Sequence, residues 1–476
     1  MESSPSMPAA RQTPWDGFEI RPTPAAPGRF GRRRLALPGA AGYIVPWAFY
    51  AFVFSIFFEY PQRKFLPVEV PTITASLFLL VALLHAGVCF AWPPPAAWKW
   101  MAIYLGLYVV LCLFSEHPAG GVGPLPATVT TSLLMAQVVL LFWVAYNLLG
   151  FEEIATATLW VLVIAPVVLR LLALLRLVSA YWFEGRLYLV GQNPNSLAHH
   201  LAVAVVALIG LATAHKSGVR WRLLFLVPCA AVLLYTIVQS GSRGGVFAVA
   251  AGVLALAFQG GGFWQQIRAA LVCVLAGGFL YWAIERSATM TRRYEETLSH
   301  TDMAGREDLF PNAWQMFLEK PVLGWGPIDN WDELGRRVPS PRPDHPEGER
   351  EPHNAVLEVL TATGLMGAIP VLICLGLCVQ AAWRARASGR GALPLAMVIA
   401  VIVASMSGNF LLVSKLDWVA LAYASASGDL VLPGRCRWPR AQVGRSPNQL
   451  GASSATPALE MPPSPPVAVK PQQAFQ

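Results

Sequence analysis

The chain has 476 residues, 55% of them hydrophobic and only 13% charged, with a mean hydropathy of +0.49. Soluble domains carry about 25% charged residues, so an ordinary soluble protein is excluded. The net charge of +8 does not point to nucleic acid, because the arginines stand in short clusters beside apolar runs.

In chain order, Met1 to Arg34 is rich in Pro, Ala and Arg and has no apolar core of the secretory kind. Residues 1–36 therefore read as a disordered basic cytoplasmic arm. About twelve apolar blocks follow, most of them close to the roughly 20 residues that a bilayer requires. They are Ala41–Phe58, Val70–Trp92, Trp98–Ser115, Thr128–Leu149, Ile154–Val178, Ser196–Ala214, Trp221–Gln239, Gly245–Phe258, Ala269–Glu285, Ala355–Ala381, Leu393–Val413 and Leu416–Leu432. Gly245–Phe258 is short, and Leu416–Leu432 follows its predecessor almost without a loop. The expected fold is all-α: a polytopic membrane domain of about 12 transmembrane helices over residues 37–433. Residues 434–476, with their PPSPP and KPQQ runs, read as a disordered cytoplasmic tail.

Basic clusters orient this map. Arg32, Arg33 and Arg34 place the N-terminus in the cytoplasm, and an even number of spans brings Arg435, Arg437 and Arg440 to the same side. The loops carrying Lys216, Arg220 and Arg222, and Arg384, Arg386 and Arg390, fall inside as well. One long polar segment, residues 286–354, then lies outside. Between Arg286 and Pro352 it holds nine Lys/Arg against thirteen Asp/Glu, a net charge of −4. Loops this long are usually functional or disordered. Phe310, Ala313, Trp314 and Phe317 recur at helical spacing, Pro311 sits where a first turn tolerates it and Pro321 ends the run, so short helices, one of them amphipathic, are expected within it.

Three external positions can carry chemistry. Gln239-Ser-Gly-Ser-Arg-Gly-Gly245 joins two spans, and the helix that follows it aims its free N–H groups outward. With Ser242, Arg243 and Gly244 this is an anion site for phosphate; the alternative is a tight turn whose arginine snorkels to headgroups. Arg306, in Gly305-Arg-Glu-Asp308, either clamps a second phosphate oxygen or pairs with nearby carboxylates. His353 precedes Asn354, a suitable N-cap for the span that begins at Ala355. The positive helix end favours a neutral imidazole, which suits a general base, although a lone interfacial histidine also serves as a structural contact. Arg170 and Arg176 lie in the outer part of the fifth block, where an arginine is costly, and are secondary candidates for binding the same anion. His199 and His200 are adjacent, face different sides of a helix and make a poor metal pair. No GxxxxGKS, HExxH, GxSxG or DxD pattern is present, and the cysteines form no CxxC pair.

Taken together and in order, YLVGQNPNSLAHHLA, SGSRGG, GREDLFPNAWQMFLEKPVLGWGPIDN and PHNAVLEVLTATGLMG resemble the O-antigen ligase and O-antigen polymerase family of bacterial envelope glycosyltransferases. The resemblance covers about Leu187 to Val371. It implies a many-helix enzyme of the inner (cytoplasmic) membrane, with both termini cytoplasmic and the active site periplasmic. It implies transfer of a glycan from an undecaprenyl-diphosphate-linked donor to a lipid or glycan acceptor hydroxyl, with membrane lipids as surroundings and with no cofactor, metal or nucleic acid. Arg243 matches the family's first functional arginine, Arg306 its second and His353 its histidine, with the arginines neutralising the departing diphosphate and His353 activating the acceptor. A repeat-unit polymerase would use the same residues. A permease is the reading from another class; it expects broken helices and a polar path near the midplane, whereas the polar features here lie at the external face.

Overall fold

The computed structural model describes residues 41–59, 69–114, 127–213, 219–256, 263–300, 305–338, 350–408 and 410–432, all within one contact unit, Met1–Pro433. The expected arm and tail, the external stretch 339–349 and part of the loop around Lys216 lie outside the described residues.

The described chain is predominantly helical. In order it forms α1 (Ala41–Ser55), α2 (Val70–Leu84), α3 (Ala86–Cys89), α4 (Ala96–Leu113), α5 (Ala127–Leu149), α6 (Glu152–Leu174), α7 (Pro194–Thr213), α8 (Val219–Gln239), α9 (Arg243–Leu256) and α10 (Phe263–Glu285). It continues with α11 (Ala288–His300), α12 (Arg306–Glu319), α13 (Asp329–Arg337), α14 (Ala355–Ala385), α15 (Leu393–Ser405), α16 (Phe410–Val413) and α17 (Lys415–Asp429). Among the described residues, five helices are long and apolar enough to cross a membrane: Ala96–Leu113, Val129–Leu149, Glu152–Leu174, Pro194–Thr213 and Ala355–Ala385. Shorter apolar helices accompany them. Exposed Leu77, Leu80, Leu171, Leu174, Val274, Leu275, Ile369 and Leu372 form the apolar exterior that lipid requires, so this is a membrane protein.

At the centre stand α7 and α17, which lack an exposed face over most of their length. Close approach comes from small residues. A Cβ on Gly245 would stand 2.5 Å from the Ala198 Cβ, and one on Gly252 would stand 2.6 Å from Val206 Cγ2 and 3.1 Å from the Ala400 Cβ. In lipid, where packing rather than the hydrophobic effect drives helix association, such contact is the main gain. Thus α9, only 14 residues long, is held between α7 and α15.

Three expectations change. The all-α reading misses a two-stranded antiparallel hairpin, β1 (Ala180–Phe183) and β2 (Arg186–Leu189), with Tyr181 opposite Tyr188. Glu184 and Gly185 both have positive φ, as a two-residue hairpin turn of matching twist requires, and the flanking aromatics favour strand. Second, the block Val70–Trp92 breaks at His85, and Leu393–Val413 breaks after Ser405 into a turn and the short α16. Third, α14 is not continuous: Gly364 has φ 58° and ψ −159°. The long polar segment forms α11, α12 and α13, and the expected amphipathic helix is α12, with Leu309, Ala313, Met316 and Phe317 buried. Trp314, expected on that same face, is instead 48% exposed.

Candidate active site

The turn Ser240–Ser242 sits where α8 hands over to α9. The Ser242 hydroxyl accepts the Gly245 N–H at 3.3 Å, and the Ser242 carbonyl accepts that of Val246 at 3.3 Å. Ser242 is therefore buried and serves as the helix cap, and part of the donor set expected to face a ligand is used inside the protein. Gly244 likewise admits a neighbour rather than a ligand. A Cβ there would run into the Ser407 hydroxyl and lie 2.6 Å from the Ser407 Cβ.

Arginines gather around this turn. Arg243 donates from Nη1 to the Arg293 carbonyl at 3.0 Å, and Arg293 returns a bond from Nη1 to the Gly241 carbonyl at 3.0 Å. Arg186 of β2 donates from Nε to the Ser240 carbonyl at 2.9 Å and from Nη2 to Asn195 Oδ1 at 2.8 Å. Arg170 bonds Gln239 Oε1 at 2.8 Å, one residue before the turn and behind it. Arg176 occupies an exposed left-handed residue (φ 59°) that ends α6, and no described contact joins it to the cluster.

Arg306, the first residue of α12, reaches the same place from the external helices. Its Nη2 donates to the Ser407 carbonyl at 2.8 Å. That carbonyl is open because α15 ends at Ser405. Burial, then the charges of Arg243 and Arg293, push the Arg306 guanidinium below its ordinary pKa. A site that gathers like charges in this way favours an anion.

Asn354 caps α14, its Oδ1 accepting from the N–H groups of Val356 at 3.0 Å and Leu357 at 3.2 Å. Its Nδ2 donates to the Met406 carbonyl at 3.4 Å, so the 406–407 turn is held by Arg306 and Asn354 together. His353 has φ 51°, a left-handed conformation uncommon outside glycine. The side chain is 40% exposed, with Nδ1 3.7 Å from Glu351 Oε2. Its pKa is pushed down from 6.5 to about 4, by burial first and then by the charges of Arg306 and Arg350. At neutral pH the imidazole is a proton acceptor.

The structure thus brings Arg306 and Asn354 together on the 406–407 turn, with Gly244, next to Arg243, packed against Ser407 and His353 next to Asn354, while Arg170 bonds Gln239. Sequence reasoning missed Arg293, Arg186 and Ser407. Arg186 lies just before the YLVGQNPN string, outside the stretch that carries the resemblance, and Arg293 follows an apolar helix like any flanking basic residue. Nothing in either string marks the contact. His199 and His200 do diverge: His199 Nε2 lies 2.8 Å from Asp417 Oδ1 with both side chains buried, while His200 meets Gln192 at 3.0 Å and Glu59 at 3.7 Å.

The break in α14 has a specific filler. The loop Pro321–Gly326 lies against Gly364, accepting from Leu365 and Met366 through the Pro321 and Val322 carbonyls at 2.8 and 3.1 Å. In return, Trp325 and Gly326 donate to the Thr361 and Ala362 carbonyls at 2.7 and 3.0 Å. A broken helix is what a permease reading expects, but here the freed backbone groups are satisfied by the loop rather than by a polar path.

Residues 228–372 match the family model described as O-antigen ligase. The matched stretch runs from α8 into α14 and contains Arg243, Arg293, Arg306 and His353. It supports the O-antigen ligase family for this chain and, with it, a glycosyl-transferring membrane enzyme of polysaccharide biosynthesis. No curated protein matches the chain.

Proposed function

From the O-antigen ligase match and the arginine–histidine cluster, we propose that the protein transfers a glycan from undecaprenyl diphosphate to an acceptor hydroxyl on the periplasmic face of a bacterial inner membrane. Both termini are cytoplasmic in this reading, and the chain crosses about twelve times. The observation that carries it is the convergence, from α9, α12 and the start of α14, of two guanidiniums and one neutral imidazole.

In the reaction, the acceptor oxygen attacks the anomeric carbon. The bond between that carbon and the diphosphate oxygen breaks, its electron pair stays on the diphosphate, and the hydroxyl proton passes to His353. With Nδ1 toward Glu351, Nε2 is the nitrogen offered to the acceptor. Arg243 and Arg306 neutralise the leaving group. Outside the cytoplasm no nucleotide supplies energy, so the driving force arrives in the glycosyl–diphosphate bond. Charge stabilisation of this kind contributes on the order of 3–4 kcal/mol per donor in a water-poor site.

The test is transfer by the purified protein from lipid-linked glycan to acceptor. Wild type should give discrete products, with Arg306→Ala and His353→Ala inserted in the membrane but inactive. A ladder of growing lipid-linked chains would replace ligase by polymerase. Undiminished transfer by both variants would remove the proposed chemistry.

A further inference from the structure

The helix α12 has three faces where a surface helix of a soluble protein has two. Leu309, Ala313 and Met316 pack against Leu334 of α13 and, with Phe317, make its buried side. Asp308, Gln315 and Glu319 recur at helical spacing along an exposed polar stripe, where Glu319 accepts from the Arg337 guanidinium at 2.8 and 2.6 Å. On the other flank Pro311, Trp314 and Leu318 form an exposed apolar stripe, which Val322 and Leu323 of the following loop extend. Leu318 and Val322 are 58% and 57% exposed, so neither belongs to the margin of the core.

Core packing and water account for the first two faces. They do not account for the third, because a contiguous apolar surface marks contact with a partner or a membrane. Its neighbour decides between these. The loop that carries Val322 and Leu323 is bonded into the break of α14, with Leu365 and Met366 donating to the Pro321 and Val322 carbonyls at 2.8 and 3.1 Å. Leu365 and Met366 are themselves exposed, and Ile369 and Leu372 continue the exposed line along the same helix. That line is part of the exterior that faces lipid, so the α12 stripe continues a lipid-facing surface at the end of the bundle. An indole suits the boundary between acyl chains and headgroups, and a helix with one apolar and one polar exposed flank lies in that boundary.

We propose that α12 is an interfacial helix: Trp314, Leu318, Val322 and Leu323 are seated among the phospholipids of the nearer leaflet, while Asp308, Gln315 and Glu319 face water. The arm that carries Arg306 thus rests on the bilayer itself. The occupant is bilayer phospholipid rather than the polyprenyl tail of a donor, and the seating does not depend on the transferase reading.

The experiment places the photo-crosslinker benzoylphenylalanine at Trp314, at Leu318 or, on the polar stripe, at Gln315 of the full chain. Each variant is irradiated in nanodiscs of phosphatidylethanolamine and phosphatidylglycerol that contain no polyprenyl lipid, and the adducts are identified by mass spectrometry. Positions 314 and 318 should both yield phospholipid adducts, and position 315 should yield none. Leu318 reads the same face should the Trp314 variant disturb the neighbouring Phe317. Equal lipid labelling at 315, or no lipid labelling at 314 and 318, would overturn the seating. Adducts within the chain or with a second copy would assign the stripe to protein, and adducts that form only after an undecaprenyl-linked glycan is added would assign it to the donor's tail; each result would also overturn it. No transfer is measured, so failure here leaves the transferase reading where it stood.

Discussion

Trp325 donates its backbone N–H to the Thr361 carbonyl at 2.7 Å, and so docks the loop after α12 into the break of α14. Its indole donates to the Met316 carbonyl at 2.9 Å, with Lys320 3.8 Å from the ring centre. One residue thus ties α12, which begins with Arg306, to the helix that His353 precedes. The spacing between the arginine and the histidine depends on this joint.

Gly364→Ala should therefore be severe. The residue sits at φ 58° and ψ −159°, a region essentially limited to glycine, and a Cβ would run into the Val322 carbonyl. The expected loss is about 3 kcal/mol or more, read as a lowered Tm in detergent. Gly376→Ala, on the same helix with nothing within 4 Å of the new carbon, should be tolerated. Equal Tm values for the two variants would contradict the joint.

Gly244→Ala should act on activity through Ser407. The added carbon would press on the Ser407 Cβ, 2.6 Å away, and displace the carbonyl that holds Arg306. Transfer should fall at least about tenfold, the effect of a small misplacement of a charge-stabilising group. Adding Ser407→Gly removes the obstructing atoms and should recover most of the rate; a double variant as slow as the single one would refute the mechanism.

Transfer should keep its base far into the acid range. Because His353 titrates near 4 rather than 6.5, the acid limb of kcat/KM should fall at the lower value. Arg350→Gln removes one of the charges that depress it and should move the limb upward. For stability the sign is fixed by proton uptake: between 6.5 and about 4 the unfolded chain binds a proton that the folded chain does not. This group's contribution is therefore complete above 6.5 and is lost as pH falls toward 4. His353→Gln should flatten that part of the Tm–pH curve, and an unchanged curve would argue against the shift.

Asp417→Ala should destabilise the bundle. The carboxylate is fully buried against His199 at 2.8 Å, and its removal strands an imidazole between α7 and α17. Removing one partner of a buried polar contact costs roughly 1–3 kcal/mol, visible as a lower Tm and reduced yield. A variant as stable as wild type would show that the two groups are paired without consequence.

Much of this was legible in the string of residues. Apolar runs near bilayer length mark the helices because lipid offers no partner for backbone groups. The helix-capping role of Asn354 follows from its side-chain chemistry, and the order of Arg243, Arg306 and His353 along the chain carries the family resemblance. Where those arguments depend on one segment, they survive.

What the string left undecided needs two segments at once. Ser407 and Arg293 are unremarkable until α15 stops early and α11 folds back, exposing a carbonyl to Arg306 and bringing Arg293 to Gly241. Gly244 reads as a ligand glycine and Gly364 is only a letter in an apolar run, yet their lack of a Cβ serves Ser407 and the Val322 carbonyl. The physical reason is range. Hydropathy, helix capping and positive-inside charge act within a few residues or against the uniform field of the membrane. Steric exclusion and hydrogen bonding between distant segments act only once the chain has brought them within a few ångströms.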